Sequence, residues 1–522
     1  MQVKLRSALL GAVGVLAASR ARADGDAAVA KSTEAVADDL DLRITLSSLL
    51  FRETGADAPA VVDQGAPLQN ASPVRRYFGD LRGELMDGGL ALDARVRQTT
   101  SLRYQSGADG GGEYELRTLR YRLGSATTSV TLGRQFIDAV GATKIDGVAA
   151  THQLTPTFAG TVFAGAFPDL GSRSLDTDYL RVKNDDGTAG SRIVPLTGGL
   201  GVAYQTPDYH GDVGVAAVYV AQAVPNATSQ EASRVFTTSS GYWRPSTGVD
   251  LYHFALLDVA GASGVNLTNG SLGVDVRPVP NLQLSGSVNH VSTDLLAITA
   301  RNLLADPDPS AIGIVQNNIA LVHVSQDMAR GAASLALARQ RFELSVSGGL
   351  HYRPQVSVAL ADGTGAVAFP EAKSADVTLV VLDRHSIGGL RTSLAASLTF
   401  PIGSEVPNRN RGTVVRLAAG RMFAEQRGQV EVDVMGEHLK DVDTSSGACM
   451  SSLNVFACYG TSDTTAAQAG ALVSWRIGRE WLLIGDTHLG YQDLHSTSLS
   501  GSVVWPHVYS VTAFLRAQWR YR

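Results

Sequence analysis

After its first residues, the sequence lacks any apolar run long enough to cross a membrane as a helix. A spanning helix needs about 20 consecutive apolar residues. The richest later segments, 319–324 and 377–382, are short and are flanked by charged or amide side chains. In lipid, only helices and closed β-barrels satisfy every backbone polar group. A membrane location for the mature chain therefore requires a closed barrel.

Cysteine is scarce. Cys449 and Cys458 are the only two, and both lie in the Ser/Thr/Gly-rich stretch 443–465. In an oxidising cell envelope, two cysteines in one loop indicate a loop disulfide. The alternative, a metal site, needs further ligands, and only His438 lies nearby. The sequence thus predicts a disulfide between Cys449 and Cys458 and no metal.

The sequence also lacks the motifs of common enzymes and of nucleic-acid binders. It contains no Walker loop, His-Glu-x-x-His, Gly-x-Ser-x-Gly or Cys-x-x-Cys, and its net charge of −5 argues against general nucleic-acid binding. His488 near Asp486, and His290 after Asn289, have no nucleophile that can be placed beside them. We interpret them as lining a lumen or rim, and predict no enzymatic activity and no cofactor.

Two acidic loop segments, 184–187 and 306–310, offer oxygen atoms that could bind Ca²⁺. Neither fits the EF-hand pattern, and solvated loop tips are the favoured interpretation.

The N-terminal segment has the features of a signal peptide. Lys4 and Arg6 precede the apolar run 8–18, and 21–23 offers a small-x-small cleavage site. The run is too short to span a bilayer. We predict a signal peptide over 1–23, with an N-terminal anchor as the alternative. Residues 24–39 follow as a flexible periplasmic lead-in.

From residue 40 onward, segments of about ten residues alternate between apolar and polar side chains, the length of a tilted membrane strand. Val430, Val432 and Val434, for example, alternate with Glu431 and Asp433. A soluble β-sandwich would show the same alternation. The many hydroxyls, glycines and charges on the polar faces, and the aromatic side chains near segment ends, favour a water-filled barrel.

Short turns alternate with longer connections along the chain. Tight turns such as 87–89 and 478–480 separate longer stretches such as 169–195, 355–373 and 493–507. This alternation predicts an all-β fold: a single antiparallel up-and-down transmembrane β-barrel over 40–522, with about 22 strands (range about 18–24) and both termini in the periplasm.

Two stretches resemble known families. The last twelve residues alternate without a fault and carry Trp519 and Tyr521 near their end, which resembles the C-terminal strand of bacterial outer-membrane barrels, although here Arg522 follows the last aromatic residue. Leu-Gly-Arg-Gln at 132–135, followed by Asp-Gly-Val at 146–148, resembles porin-like and polysaccharide-export barrels, where these elements end one strand and begin the next. The resemblance implies a channel in contact with outer-membrane lipid, lipopolysaccharide and, during biogenesis, the barrel-assembly machinery.

The candidate functional residues are charged side chains on predicted lumen faces, together with a C-terminal aromatic girdle. The basic candidates are Arg43, Arg82, Arg95, Arg97, Arg117, Arg341, Arg391, Arg516 and Arg520. The acidic candidates are Asp41, Asp93, Glu343, Glu431, Asp433 and Glu437. The girdle and assembly-strand candidates are Trp475, Trp481, Trp519 and Tyr521. Rings of charge select ions electrostatically; the alternative is that these charges pair with one another and brace the wall.

Two irregularities interrupt the alternation. Glu115 and Arg117 share one parity whereas Arg120 and Arg122 share the other, which predicts a β-bulge. Arg134 lies on the parity of its apolar neighbours, which predicts either a bulge or a side chain that reaches the headgroups.

The functional hypothesis is a porin-like outer-membrane channel for passive passage of small hydrophilic solutes or ions. The alternatives are a gated polysaccharide-export barrel and a structural or adhesion barrel with a filled lumen. The connections 169–195 and 355–373 are long enough to plug the lumen. The sequence fixes neither the solute nor the oligomeric state.

Overall fold

The protein is a closed antiparallel β-barrel of 22 strands, as the alternation predicts. Its wall forms because alternating side chains give each strand one apolar and one polar face. The computed structural model describes residues 40–55, 74–99, 112–168, 175, 178–179, 181–183, 189–192, 194–220, 233–261, 264–292, 325–359, 366–369, 371–402, 411–442, 459–498 and 501–521.

The described chain contains 26 strands, four of which form two separate hairpins, β8 with β9 and β18 with β19. The strands are β1 (Asp41–Gly55), β2 (Val74–Asp87), β3 (Leu90–Thr99), β4 (Gly112–Gly124), β5 (Thr128–Ile137), β6 (Thr143–Thr155), β7 (Phe158–Ala166), β8 (Arg181–Lys183), β9 (Ala189–Arg192), β10 (Leu196–Gln205), β11 (Tyr209–Tyr219), β12 (Arg234–Ser246), β13 (Val249–Ala260), β14 (Asn266–Val279), β15 (Leu282–Ser292), β16 (Ser325–Leu337), β17 (Phe342–Arg353), β18 (Val356–Ala359), β19 (Ala366–Phe369), β20 (Ala372–Ile387), β21 (Leu390–Pro401), β22 (Arg411–Phe423), β23 (Gly428–Val442), β24 (Tyr459–Ile477), β25 (Trp481–Ser498) and β26 (Gly501–Tyr521). A single 3₁₀ turn, Asp138–Val140, joins β5 to β6.

The first and last strands close the barrel. β1 pairs with β2 on one side and with β26 on the other, from Leu42 opposite Tyr521 to Gly55 opposite Val508. Closure leaves no unpaired sheet edge, which is the condition for placing β-structure in lipid.

Short connections gather at one end of the barrel, which we call the turn end, together with the start of β1 and the end of β26. The longer connections gather at the opposite, loop end. The prediction of a long connection over 493–507 is wrong, because β25 runs to Ser498 and β26 starts at Gly501. Val503 and Val504 are β-branched residues, which favour a strand. The polar residues that precede them in the sequence led to the prediction of a loop.

The outer face of the wall is apolar between two aromatic belts. Leu515 on β26 is 65% exposed there. At the turn end, the rings of Trp481 and Trp519 lie 6.4 Å apart, and at the loop end those of Tyr491 and Tyr509 lie 5.4 Å apart. The two belts are ten residues apart along β25 and also along β26. At about 3.3 Å per residue and a strand tilt of about 40°, the distance between the belts is roughly 25 Å, which is the height of a membrane barrel's apolar band.

The predicted C-terminal girdle residues lie in the turn-end belt. Trp519 contacts Tyr521 at 6.3 Å between ring centroids, and Trp475 contacts Phe423 at 6.5 Å. No helix in the described part of the chain is long and apolar enough to cross a membrane.

The predicted bulge is present in β4. Asp93 lies opposite Thr118 and Ala94 opposite Leu116, so Arg117 is the extra residue of β4. Beyond this bulge the parity reverses, and Arg120 faces the lumen alongside the acidic residues that precede it.

Several predictions fall outside the described residues. These are the signal peptide and lead-in, the loop disulfide between Cys449 and Cys458, and the two acidic loop segments.

Candidate site in the barrel lumen

Charged side chains line the inner faces of β1 to β4 in register. The ladder places Arg82 opposite Arg95 and Glu84 opposite Asp93. Like charges that face each other directly across a ladder destabilise a sheet. Between β2 and β3, Arg82 and Arg95 therefore pair diagonally, each with a carboxylate of the next row.

The two diagonal pairs between β2 and β3 are bidentate. Arg82 donates through Nε and Nη2 to Asp93 at 2.9 and 2.7 Å. Arg95 donates through the same two nitrogens to Asp80 at 2.6 Å each. Two parallel hydrogen bonds between a guanidinium and a carboxylate are stronger and more directional than a single contact.

Further contacts extend these pairs into a continuous network. Arg43 lies 3.2 Å from Glu84, which also contacts Arg82 at 2.8 Å. Arg117, the bulge residue, lies 3.9 Å from Asp93 and 3.7 Å from Glu115.

We call this network the ion-pair wall. It contains Arg43, Arg82, Arg95, Arg117, Asp80, Glu84, Asp93 and Glu115, and we include in it the neighbouring separate pair Arg97 and Glu113. Five arginines meet five carboxylates, so the formal charge of the wall is zero. The geometry is that of mutual bracing, and the selectivity role of these residues stays a prediction.

The barrel seam carries a further pair. Arg520 of β26 donates from Nε and Nη2 to Asp41 of β1 at 3.0 and 2.5 Å. Arg516 donates to the Ser47 hydroxyl at 3.3 Å. These contacts link the first and last strands across the closure.

The remaining acidic candidates lie on β17 and β23. Glu431 and Asp433 lie 3.5 and 3.1 Å from Arg416 of β22. The sequence analysis did not select Arg416 as a candidate. The alternation of the sequence could have identified it as a lumen residue, because Arg416 lies between the outward-facing Val415 and Leu417. The Glu437 side chain is buried on the same inner face.

Three other candidates lie towards the turn end. Glu343 accepts hydrogen bonds from Ser334 at 3.0 Å and from Arg384 at 2.9 Å. Arg341 donates to the Ser386 hydroxyl at 2.8 Å. Arg391 lies on the inner parity of β21, opposite Gly420.

The β5–β6 hairpin leaves the barrel wall. β5 pairs with β4 only as far as Arg134, opposite Leu119, although β4 continues to Gly112. β6 pairs with β7 only as far as Asp146. Between these points the hairpin pairs only with itself. We call residues 134–146 the inward hairpin.

The tip of the inward hairpin packs against the inside of the wall. Val140 and Ile145 are 0% exposed. The face that they cover is the inner one, because Val162 and Val213, on the opposite parity of the same strands, are each 58% exposed. The other members of this apolar core are Ile137, Ala149, Phe163, Phe167, Ala216, Val218, Phe236 and Leu256.

Two wall glycines allow this close approach. A Cβ atom at Gly201 would lie 2.7 Å from the Ala139 carbonyl oxygen, and one at Gly214 would lie 2.4 Å from it. Any larger residue at Gly214 would therefore collide with the hairpin backbone, so the glycine is needed for the hairpin to lie where it does.

Buried polar groups fix the base of the inward hairpin. Arg134 donates to Asp146 at 2.6 Å, to the Leu116 carbonyl at 2.9 Å, and to Asp178. Lys144 lies 3.7 Å from Asp178, and Tyr179 donates to Asp146. We call Arg134, Lys144, Asp146, Asp178 and Tyr179 the buried cluster.

Burial of the cluster is nearly complete at its centre. Arg134, Lys144 and Asp178 are 7%, 5% and 4% exposed. Two cations face two carboxylates, as burial of charge requires. Burial and the hydrogen bond to Asp146 raise the pKa of Tyr179, which keeps its hydroxyl protonated and able to donate.

These contacts correct one prediction and explain the motif. Arg134 does not reach the headgroups, because the strand bends inward at Gly133, whose φ is 110°. The arginine of Leu-Gly-Arg-Gln instead pairs with the aspartate of Asp-Gly-Val, Asp146, directly opposite it.

Sequence reasoning missed Asp178 and Tyr179, which lie in a connection without an alternating pattern. It also missed that one stretch of wall is apolar on both faces. Ala216, Val218 and Phe236 occupy inner positions that a water-filled barrel would leave polar, and this was the available signal for a packed element inside.

The two histidines that the sequence singled out contact carboxylates, and another, His253, lies 2.9 Å from the Ser239 hydroxyl. His488 lies 2.8 Å from Asp486 and 2.6 Å from Gln468, and His290 lies 2.6 Å from Asp327. Within the described ranges no group of three or more metal-ligating side chains is present.

Comparison with solved structures finds chains of low sequence identity. Acinetobacter baumannii OccAB2 is 10% identical, with 94% of this chain and 100% of that chain covered and a TM-score of 0.40. Pseudomonas aeruginosa OpdK, solved with vanillate, is 10% identical over 93% and 100% of the two chains, with a TM-score of 0.35. A bacterial polysaccharide outer membrane secretin is 13% identical over 72% and 98%, with a TM-score of 0.31.

No family model matches the sequence, and no curated protein matches it. At these identities and TM-scores we draw no conclusion from the likeness.

Proposed function

We propose that this protein is an outer-membrane channel for passive passage of small hydrophilic solutes or ions. The turn end would face the periplasm and the loop end the cell exterior, as short turns and long loops do in outer-membrane barrels. The observation that carries the proposal is a closed wall of 22 strands with an apolar outer face and an ionic inner face.

The described wall is wide enough to enclose a water-filled pore. With strands about 4.8 Å apart and tilted by about 40°, 22 strands enclose a backbone cylinder roughly 40 Å across. The inward hairpin, 13 residues from 134 to 146, covers the inner wall of β6, β7 and β10 to β13. One hairpin narrows a lumen of this width without filling it.

Selectivity would come from the charged inner walls. The ion-pair wall carries arginine and carboxylate in alternation, and Glu431 and Asp433 face Arg416 on β22 and β23. Charges held at fixed positions along a pore select solutes electrostatically. Because the ion-pair wall is neutral, we expect weak selectivity between anions and cations in the native protein.

Single-channel recording of the refolded mature chain in a planar bilayer tests the proposal. We expect stable open currents with weak ion selectivity. Heat-modifiable migration on a gel serves as the folding control, since a folded barrel and its unfolded chain migrate differently. A folded barrel that stays silent would contradict the open channel and favour gated export or a filled surface barrel.

A further inference from the structure

The inward hairpin is held at two places of different chemistry. Its tip rests on an apolar wall through Val140, and its base is fixed by the buried cluster and by the buried side chain of Ile145. Since ladder bonds to β4 and β7 end at Arg134 and Asp146, these side-chain contacts hold the hairpin in place of the sheet.

Two members of the cluster come from elsewhere in the chain. Asp178 and Tyr179 lie in the connection between β7 and β10, whereas Arg134, Lys144 and Asp146 belong to the hairpin itself. Without Asp178, the buried cluster would carry two cations, Arg134 and Lys144, and one carboxylate, Asp146. An unpaired buried charge is strongly unfavourable. Asp178 therefore neutralises the cluster, and it does so only while the connection stays in place.

The connection is anchored to the wall on both sides of the cluster. Leu175 donates its backbone N–H to the Tyr114 carbonyl at 2.9 Å, on the part of β4 that the hairpin has left. Phe167 joins the apolar core and donates its N–H to the Pro195 carbonyl at 2.8 Å. These two hydrogen bonds tie Leu175 and Phe167 of the connection to the wall.

From this geometry we propose that Asp178 and Tyr179 are positioning residues that hold the inward hairpin against the inner wall, so that the connection between β7 and β10 sets the open width of the pore. The inference rests on the proposed channel function. Displacement of the connection would remove a carboxylate from Arg134 and Lys144 together and release the hairpin from the wall.

The test uses a thiol reporter at the hairpin tip. Val140→Cys is introduced into the full mature chain with Cys449→Ser and Cys458→Ser, so that it carries a single thiol. Val140 is 0% exposed, so a water-soluble maleimide reaches position 140 only after the hairpin leaves the wall. Labelling rates are compared with and without Asp178→Asn, and Asp208→Asn at the exposed turn end is the matched control.

We expect Asp178→Asn to accelerate labelling at least about ten-fold, because labelling of a buried thiol follows the population of the open form. Tyr179→Phe, which removes one hydrogen bond to Asp146 and no charge, should give a smaller acceleration in the same direction. It also provides the test if Asp178→Asn fails to fold. Asp208→Asn should label at the parent rate.

Single-channel currents give the second readout. In the same variants we expect larger and noisier open currents as the hairpin leaves the lumen. Labelling that accelerates in a barrel without current would support the positioning role and contradict the channel. Parent-like labelling and parent-like currents in both folded variants would overturn the positioning role while leaving the channel standing.

Discussion

Two inner walls of the same barrel are built in opposite ways. The ion-pair wall of β1 to β4 faces water, and its side chains retain between 12% exposure, at Asp80, and 43%, at Arg117. The wall of β10 to β13 carries buried apolar side chains and is covered by the inward hairpin, whose Val140 and Ile145 have no exposure.

The difference decides how much each contact contributes. Ion pairs in contact with water contribute about 0–1 kcal/mol each, because solvent screens them. Removing a buried apolar side chain costs about 2–5 kcal/mol, and breaking a buried ion pair costs about 3–5 kcal/mol. We therefore expect the ion-pair wall to shape the field in the lumen and the hairpin wall to shape the lumen itself.

The largest expected effect comes from breaking the close approach on the hairpin wall. In Gly214→Val, the new Cβ would lie 2.4 Å from the Ala139 carbonyl oxygen and 2.6 Å from Val140 Cγ2. We expect the hairpin to be displaced, with a larger single-channel current and about 1–3 kcal/mol lower free energy of unfolding, as overpacking gives. Bilayer recording and urea titration measure the two effects.

Gly436→Val is the matched control, because nothing lies within 4 Å of a Cβ at Gly436 on β23. Its current should equal that of the native protein. Equal currents for Gly214→Val and Gly436→Val, both folded, would show that the hairpin tip does not restrict the lumen.

A smaller effect is expected on the ion-pair wall, in selectivity. Arg95→Glu removes the bidentate partner of Asp80 and places a carboxylate near Glu115, which changes the formal charge of the wall by −2. We expect a shift towards cations in the reversal potential under a salt gradient. Near 1 M salt the shift should nearly vanish, because the Debye length is then about 3 Å.

The exchange Asp80→Arg with Arg95→Asp is the control, since it alters both positions and restores a neutral wall. It should return the reversal potential close to the native value. If the variant with both exchanges is as cation-selective as Arg95→Glu, local geometry determines selectivity and the summed charge of the wall does not.

The sequence predicted the barrel well because alternation is a local signal. The strand number, the closed antiparallel topology, the aromatic girdle and the bulge at Arg117 all follow from parity and turn spacing. The charged side chains of β1 to β4 were also found, since an inward charge is conspicuous beside an outward apolar residue.

The pairing of side chains that are distant along the chain could not be predicted from the sequence. Parity places Arg82 and Asp93 on inner faces, but only the register between β2 and β3 shows that they neutralise each other. The inward hairpin was missed for the same reason. Asp178 reaches Arg134 across 44 positions of sequence, through a connection whose course no periodic pattern records.

The smallest effect should appear at the edge of the ion-pair wall. Arg43 lies 3.2 Å from Glu84, and the two side chains are 36% and 28% exposed. When Arg43 is replaced, Glu84 still has an ion pair with Arg82, at 2.8 Å. Arg43→Gln should therefore lower the free energy of unfolding by less than about 0.5 kcal/mol. Arg82→Gln should cost more, because it leaves Asp93 without its bidentate partner. Urea titrations of the two variants side by side measure this ranking, and an equal cost would show that the contacts of the wall do not substitute for one another.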